Sequence, residues 1–222
     1  MSLNNHHELP YTAGISLFTL LFGVPIAVVA IHFTNVFVPS ITLGTKQIDA
    51  GPSGPKTLTI GLIRSSDDAV LASSYISILS SLMVAAGMAL VRHLRVRKGD
   101  SFVGWSVMGP AAVNLLGQIG CLVAWIILQE KDEAKIGSKD DVTFVDGIYG
   151  SSGRMFTREA WACTMKTFFG EKEGIWAIKA CEDLKTSREI TAGTTFCALI
   201  ISCISYWQVH KRGGLRWLFG RK

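Results

Sequence analysis

Four stretches of the chain, residues 13–38, 69–91, 102–128 and 190–209, are predominantly apolar and contain no Asp, Glu, Lys or Arg. Crossing about 30 Å of hydrocarbon takes about 20 such residues in a helix, each rising about 1.5 Å. Lipid offers the backbone no hydrogen-bond partners, so a spanning segment must satisfy its own amides as a helix. The pattern therefore predicts an all-α membrane protein, a bundle of four transmembrane helices in one integral membrane domain over residues 1–222. Composition agrees: 49% of residues are hydrophobic and only 18% charged, and the mean hydropathy of +0.34 is high for a soluble domain.

A cleaved signal peptide is the competing reading of the first stretch. Its leader, MSLNNHHELPYT, has no Lys or Arg, and its apolar run exceeds the length of a signal-peptide core. It is read as a retained span.

Charge orients the bundle. The connection RHLRVRKGD and the tail HKRGGLRWLFGRK contain nine basic residues, with Asp100 the sole acid between them. Placing both in the cytosol with the N-terminus gives that face nine basic and two acidic residues and leaves 13 basic and 15 acidic for the other. That is the positive-inside bias. The pI near 9.0 then reports topology, and no nucleic-acid partner is expected. Residues 1–12, 92–101 and 210–222 are assigned to the cytosol. Residues 39–68 and 129–189 form two outer loops, facing the cell exterior or a secretory lumen.

The outer loops hold folding signals of their own. In the first, the β-prone runs ITLGTKQI and KTLTIGLI flank the breaker cluster AGPSGP, which suits a hairpin with a long turn. In the second, Asp146-Gly147 sits between β-formers, a strong hairpin signal. Downstream, Thr157 precedes a helix-like run in which Trp161, Met165, Phe168 and Phe169 keep helical spacing. A second run, 175–188, carries Trp176, Ile178, Cys181 and Leu184. The expectation is a small extracellular or lumenal cap of short β-strands and two short helices, with these aromatics packed beneath it.

Three of the five cysteines, Cys121, Cys197 and Cys203, fall within spans, where a thiol behaves as a small hydrophobe. Cys163 and Cys181 lie outside. In an oxidising compartment one pair without a third partner favours a disulfide. Zinc would need four ligands at characteristic spacing, and the outer loops contain no His. A catalytic dithiol usually has C-x-x-C spacing, which is absent. No metal and no cofactor are expected.

Within the spans, Ser73, Ser77, Ser81, Ala85 and Ala89 recur every fourth residue, a small-residue ridge that lets another helix approach. Its partner is either a neighbouring span or a second copy of the chain. Asn114 and Gln118 share a face of span three with Pro110, and amides in hydrocarbon must point inward to find partners. His32 and Asn35 lie near the outer end of span one. His93 and His210 share the inner side, where facing imidazoles could hold a haem but where flanking Arg and Lys suit interfacial residues better. The tail interleaves Leu215, Trp217, Leu218 and Phe219 with basic residues, a composition suited to an anionic leaflet.

Four spans, both ends inside, a smaller first outer loop and a larger second one holding a cysteine pair resemble the tetraspan layout of tetraspanins, MARVEL proteins and claudin-like proteins. The CCG motif of tetraspanins is absent, since the loop cysteines stand alone in AWACTM and IKACED. The Trp and Cys signature of the claudin first loop is absent too. The phrase FTREAWACTM…KACEDLKTSRE is also similar to the second loop of four-span proteins of filamentous fungi. What the layout implies is a non-enzymatic lateral organiser or interaction partner of other membrane proteins, or of itself, in the lipid bilayer of the plasma membrane or secretory pathway. The alternatives are a small membrane-embedded oxidoreductase or lipid-modifying enzyme using His32, Asn35, Asn114 and Gln118, or an accessory subunit of a transporter or synthase.

Overall fold

A computed structural model describes residues 9–35, 45–49, 55–59, 61–93, 101–130, 143–145, 148–150, 155–168, 170–211 and 214–219. Most of the leader, the basic connection 94–100, the charged run 131–142 and the turn residues Asp146-Gly147 lie outside them, as do Arg212, Phe169, Arg221 and Lys222. Four long helices dominate: α1 (Leu9–Thr34), α2 (Ser65–His93), α3 (Ser101–Glu130) and α5 (Gly170–Lys211). Each contains a segment long and apolar enough to cross a membrane, the shortest being Gly14–Thr34 with 21 residues. Such helices are the mark of an integral membrane protein.

The first turn of α2 contains Asp67 and Asp68, acids placed where the helix dipole presents its positive end. Two prolines sit inside helices, Pro25 in α1 and Pro110 in α3. Each removes one ladder bond, a loss that transmembrane helices accommodate through their neighbours.

One expectation fails. The run 175–188 is not a separate short helix but the first part of α5, which continues unbroken into the fourth span. The reason is local: from Ile175 to Thr191 there is no Pro or Gly, and Ala, Lys, Glu and Leu all propagate a helix well. Only α4 (Arg158–Phe168) stands as a short helix before it. Thr157 caps α4, its Oγ1 accepting a hydrogen bond from the Ala160 amide at 3.2 Å.

Contacts divide the chain into two units: the first comprises Met1–Ala30, Ala72–Leu122 and Ile190–Lys222, the second Ile31–Leu71 and Val123–Glu189. In the first unit the apolar core is Val84, Met88, Val91, Val103, Val107, Ala111 and Ile201, with Ile15 against it. Half of the most apolar window of α2 is buried against 17% for α3, so α2 is the more enclosed of the two.

The second unit contains all of the strands. β1 (Thr45–Asp49) and β2 (Pro55–Thr59) pair antiparallel with Asp49 opposite Pro55 across the breaker cluster. β4 (Thr143–Val145) and β5 (Ile148–Gly150) pair antiparallel with Val145 opposite Ile148, one on each side of Asp146-Gly147. β2 joins β5 in parallel, giving the order β1-β2-β5-β4. A separate parallel pair is formed by β3 (Gly61–Ile63) and β6 (Met155–Thr157).

The helical core of this unit is Ala162, Ala180, Cys181 and Leu184, with Cys163 and Trp176 packed on it. Trp161 is also buried, whereas Ile178 is exposed. Ala177, Ala180, Cys181 and Leu184 follow the i, i+3, i+4, i+7 stripe of a buried face, and Ile178 falls off it.

Candidate functional site

In the first unit the small residues of α2 lie against their neighbours. Ser73, Ser77, Ser81 and Ala85 are buried, and Ala89 alone of the ridge is exposed. Ser77 Oγ donates to the Gly23 carbonyl of α1 at 3.2 Å, and Ser16 Oγ of α1 donates to the Ala85 carbonyl at 3.2 Å. A side chain at Gly23 would collide with Ser81, so this α1–α2 approach requires a glycine.

On the α3 side, a Cβ at Gly87 would stand 2.5 Å from the Ser106 carbonyl oxygen. That carbonyl lies four residues before Pro110, which has no N–H to bond it. Glycine lets α2 reach the one stretch of α3 backbone that Pro110 leaves short of a hydrogen bond.

Gln118 is the hub of a three-helix network. Its Nε2 donates to the Ser73 carbonyl at 2.6 Å, and its Oε1 accepts from Ser73 Oγ at 2.5 Å and from Thr194 Oγ1 of α5 at 3.1 Å. Gln118 Nε2 also lies 3.4 Å from Asn114 Oδ1. Ser202 Oγ of α5 donates to the Ala111 carbonyl of α3 at 3.0 Å. Helical periodicity accounts for the alignment: 111, 114 and 118 share one face of α3. Among the described residues, Asn114 Nδ2, Ser81 Oγ and Ser205 Oγ have no hydrogen-bond partner.

The four residues of the enzyme alternative are not alike. Asn114 and Gln118 are fully buried. His32 and Asn35 are exposed and belong to the second unit; His32 makes an edge contact with Phe33 at 5.6 Å. His210 is exposed and stacks on Tyr206 at 6.0 Å, while the His93 side chain lies outside the described residues. Among the described residues, no three His, Cys, Asp or Glu side chains converge as a metal site.

In the second unit Cys163 and Cys181 form a disulfide between α4 and α5, with Cα atoms 4.8 Å apart. The same unit holds a cluster that the sequence pattern did not single out. Arg158 Nη1 meets Asp67 Oδ2 at 3.1 Å and the Thr34 carbonyl at 3.4 Å. Arg188 Nη1 meets Glu159 Oε1 at 2.7 Å, and the Thr34 and Ser187 hydroxyls share a 2.6 Å hydrogen bond.

Asp67 and Glu159 suit the helix starts they occupy, and Arg158, although it begins α4, reaches the Thr34 carbonyl at the C-terminus of α1. The acid-rich start of α2 and the adjacent Arg158-Glu159 were visible signals. Their pairing was not, because the partners are 91 and 29 residues apart in sequence. A cavity of about 10 Å3 lies beside the cluster, lined in part by Ser66, Asp67, Glu159 and Arg188. It has room for about one water.

Comparison of the chain with family models, curated proteins and solved structures found no match. Four helices long and apolar enough to cross a membrane are consistent with a tetraspan layout.

Proposed function

We propose that this is a non-enzymatic membrane protein of tetraspan layout that associates laterally with other membrane proteins or with itself. On this reading both termini face the cytosol and residues 39–68 and 129–189 form a disulfide-closed exoplasmic cap. The observation that carries the proposal is the direction of the polar groups. Ser73 and Ser77 of α2 and the Gln118 network bond to neighbouring helices of the same chain, while Leu79, Leu116 and Phe196 are 63%, 69% and 62% exposed. Gln118, the intramembrane amide with the most bonds, is engaged in holding three helices together. The Cys163–Cys181 bridge supports an oxidising compartment for the second loop.

Because four of the five ridge residues are covered by the chain itself, lateral contacts use other faces. An accessory subunit of a transporter or synthase differs from this reading only in the identity of its partner. The test is extraction in mild detergents followed by mass spectrometry of what co-purifies. Recovery in a stoichiometric complex with itself or with another membrane protein is expected. Emergence as a lone monomer across several detergents and in native nanodiscs would overturn the proposal.

A further inference from the structure

After a two-residue connection, α5 is followed by a short helix, α6 (Gly214–Leu218), entered through Gly214 at φ +63°. This segment is fastened down. Leu218 is 3% exposed, its carbonyl accepts a hydrogen bond from Trp105 Nε1 at 3.1 Å, and the Phe219 ring meets the Trp105 ring edge-on at 5.8 Å. Trp105 lies near the start of α3, so α6 is held between one end of α3 and one end of α5.

What the fastened segment presents is specific. Leu215 and Phe219 are four residues apart, on one helical face, and are 59% and 63% exposed. Arg216 and Lys211 are exposed beside them, with Lys211 Nζ seated 4.2 Å above the Trp207 ring. Residues 210–222 contain five Lys and Arg and no acid.

We infer that α6 and the end of α5 form a docking element for an anionic phospholipid surface. Leu215 and Phe219 enter the boundary of the acyl chains, where apolar faces of interfacial helices lie. Lys211 and Arg216 meet the phosphate and carboxylate groups of acidic lipids, the guanidinium with paired hydrogen bonds. Anchoring by Trp105 fixes these groups in advance, which lowers the entropy lost on binding. This surface requires no protein partner and stands apart from the lateral association proposed above.

The test is native mass spectrometry of the delipidated full-length protein, titrated with phosphatidylserine and with phosphatidylcholine at low salt. Phosphatidylserine should bind more tightly, by about fivefold for each engaged cation. In the variant Lys211→Gln/Arg216→Gln, phosphatidylserine affinity should fall to that of phosphatidylcholine, which should not change. Both side chains are exposed, and retention of the Cys163–Cys181 bridge with an unaltered melting midpoint verifies the fold. If the double variant does not fold, Arg216→Gln alone decides through an expected loss of about fivefold. Equal affinity for the two lipids in the unmodified protein, or an undiminished preference in a folded variant, would overturn the inference.

Discussion

The two units of this chain achieve stability by opposite means. In the first, nothing ionic appears among the interhelical bonds described: glycines at 23 and 87 bring backbones together, and hydroxyls and one glutamine bond across the interfaces. In the second, a disulfide and two ion pairs connect helices. The difference fits the proposed topology, in which the first unit meets lipid and the second meets water. In lipid, burying an aliphatic side chain provides no hydrophobic drive, so close packing and hydrogen bonds must hold helices together. A small water-exposed unit has too little core to be stable on burial alone and gains from a covalent staple.

The largest effect is expected from adding atoms to the first unit. Gly87→Val places a side chain against the Ser106 backbone, which cannot yield as a flexible side chain would. A loss of about 3 kcal/mol or more is expected, at the upper end for overpacked cores, read as a lowered thermal midpoint in micelles. Equal stability of the variant would show that α2 and α3 are not in close contact there.

Next comes the staple. Closing an 18-residue separation contributes about 3 kcal/mol by loop-closure entropy, so Cys163→Ser/Cys181→Ser should lose about that much. Hydrogen exchange should speed up in residues 158–189 and stay slow around Ser73 and Gln118. On the intact protein these two thiols should resist alkylation until reductant is added. Labelling of both without reductant would remove the bridge from the account.

These two expectations also show what was legible in the sequence. The four spans were readable because lipid permits so few solutions, and the cysteine pair because only two thiols lay outside the spans. The ridge from Ser73 to Ala85 was readable as a period of four, but whether it met another helix of the chain or another chain depended on α1 and α3. The spacing of Trp176, Ile178, Cys181 and Leu184 marks 175–188 as helical but does not show where the helix ends, and α5 runs on through it to Lys211. A helix needs a breaker to end, and Gly193 comes too late to serve as one. The cluster of Asp67, Arg158, Glu159 and Arg188 escaped because long-range ion pairs leave no periodic trace.

A smaller effect is expected at the network hub. Gln118→Leu removes the bonds to Ser73 and Thr194, and interhelical bonds in membranes are each worth about 0.6 kcal/mol on average. The total should be about 1–2 kcal/mol, and a double-mutant cycle with Ser73→Ala should show coupling between the two sites.

The smallest belongs to the Arg188–Glu159 pair. Arg188→Gln breaks a pair whose arginine is 30% exposed, so a loss below about 1 kcal/mol is expected, shrinking as salt is raised. Arg158→Gln should cost more, because its pair with Asp67 is more enclosed at 14% and 17% exposure and removal strands a carboxylate. The reverse order would mean that burial does not govern these pairs.

The central claim is that inward side chains build the chain while outward ones meet its partner. A photo-reactive amino acid placed singly at Leu79, Leu116, Phe196 and Ser81, in full-length protein illuminated in its own membranes, tests this directly. The account predicts a discrete protein adduct from at least one of the three outward positions and only intramolecular products from Ser81. Lipid adducts alone from all three outward positions would contradict it.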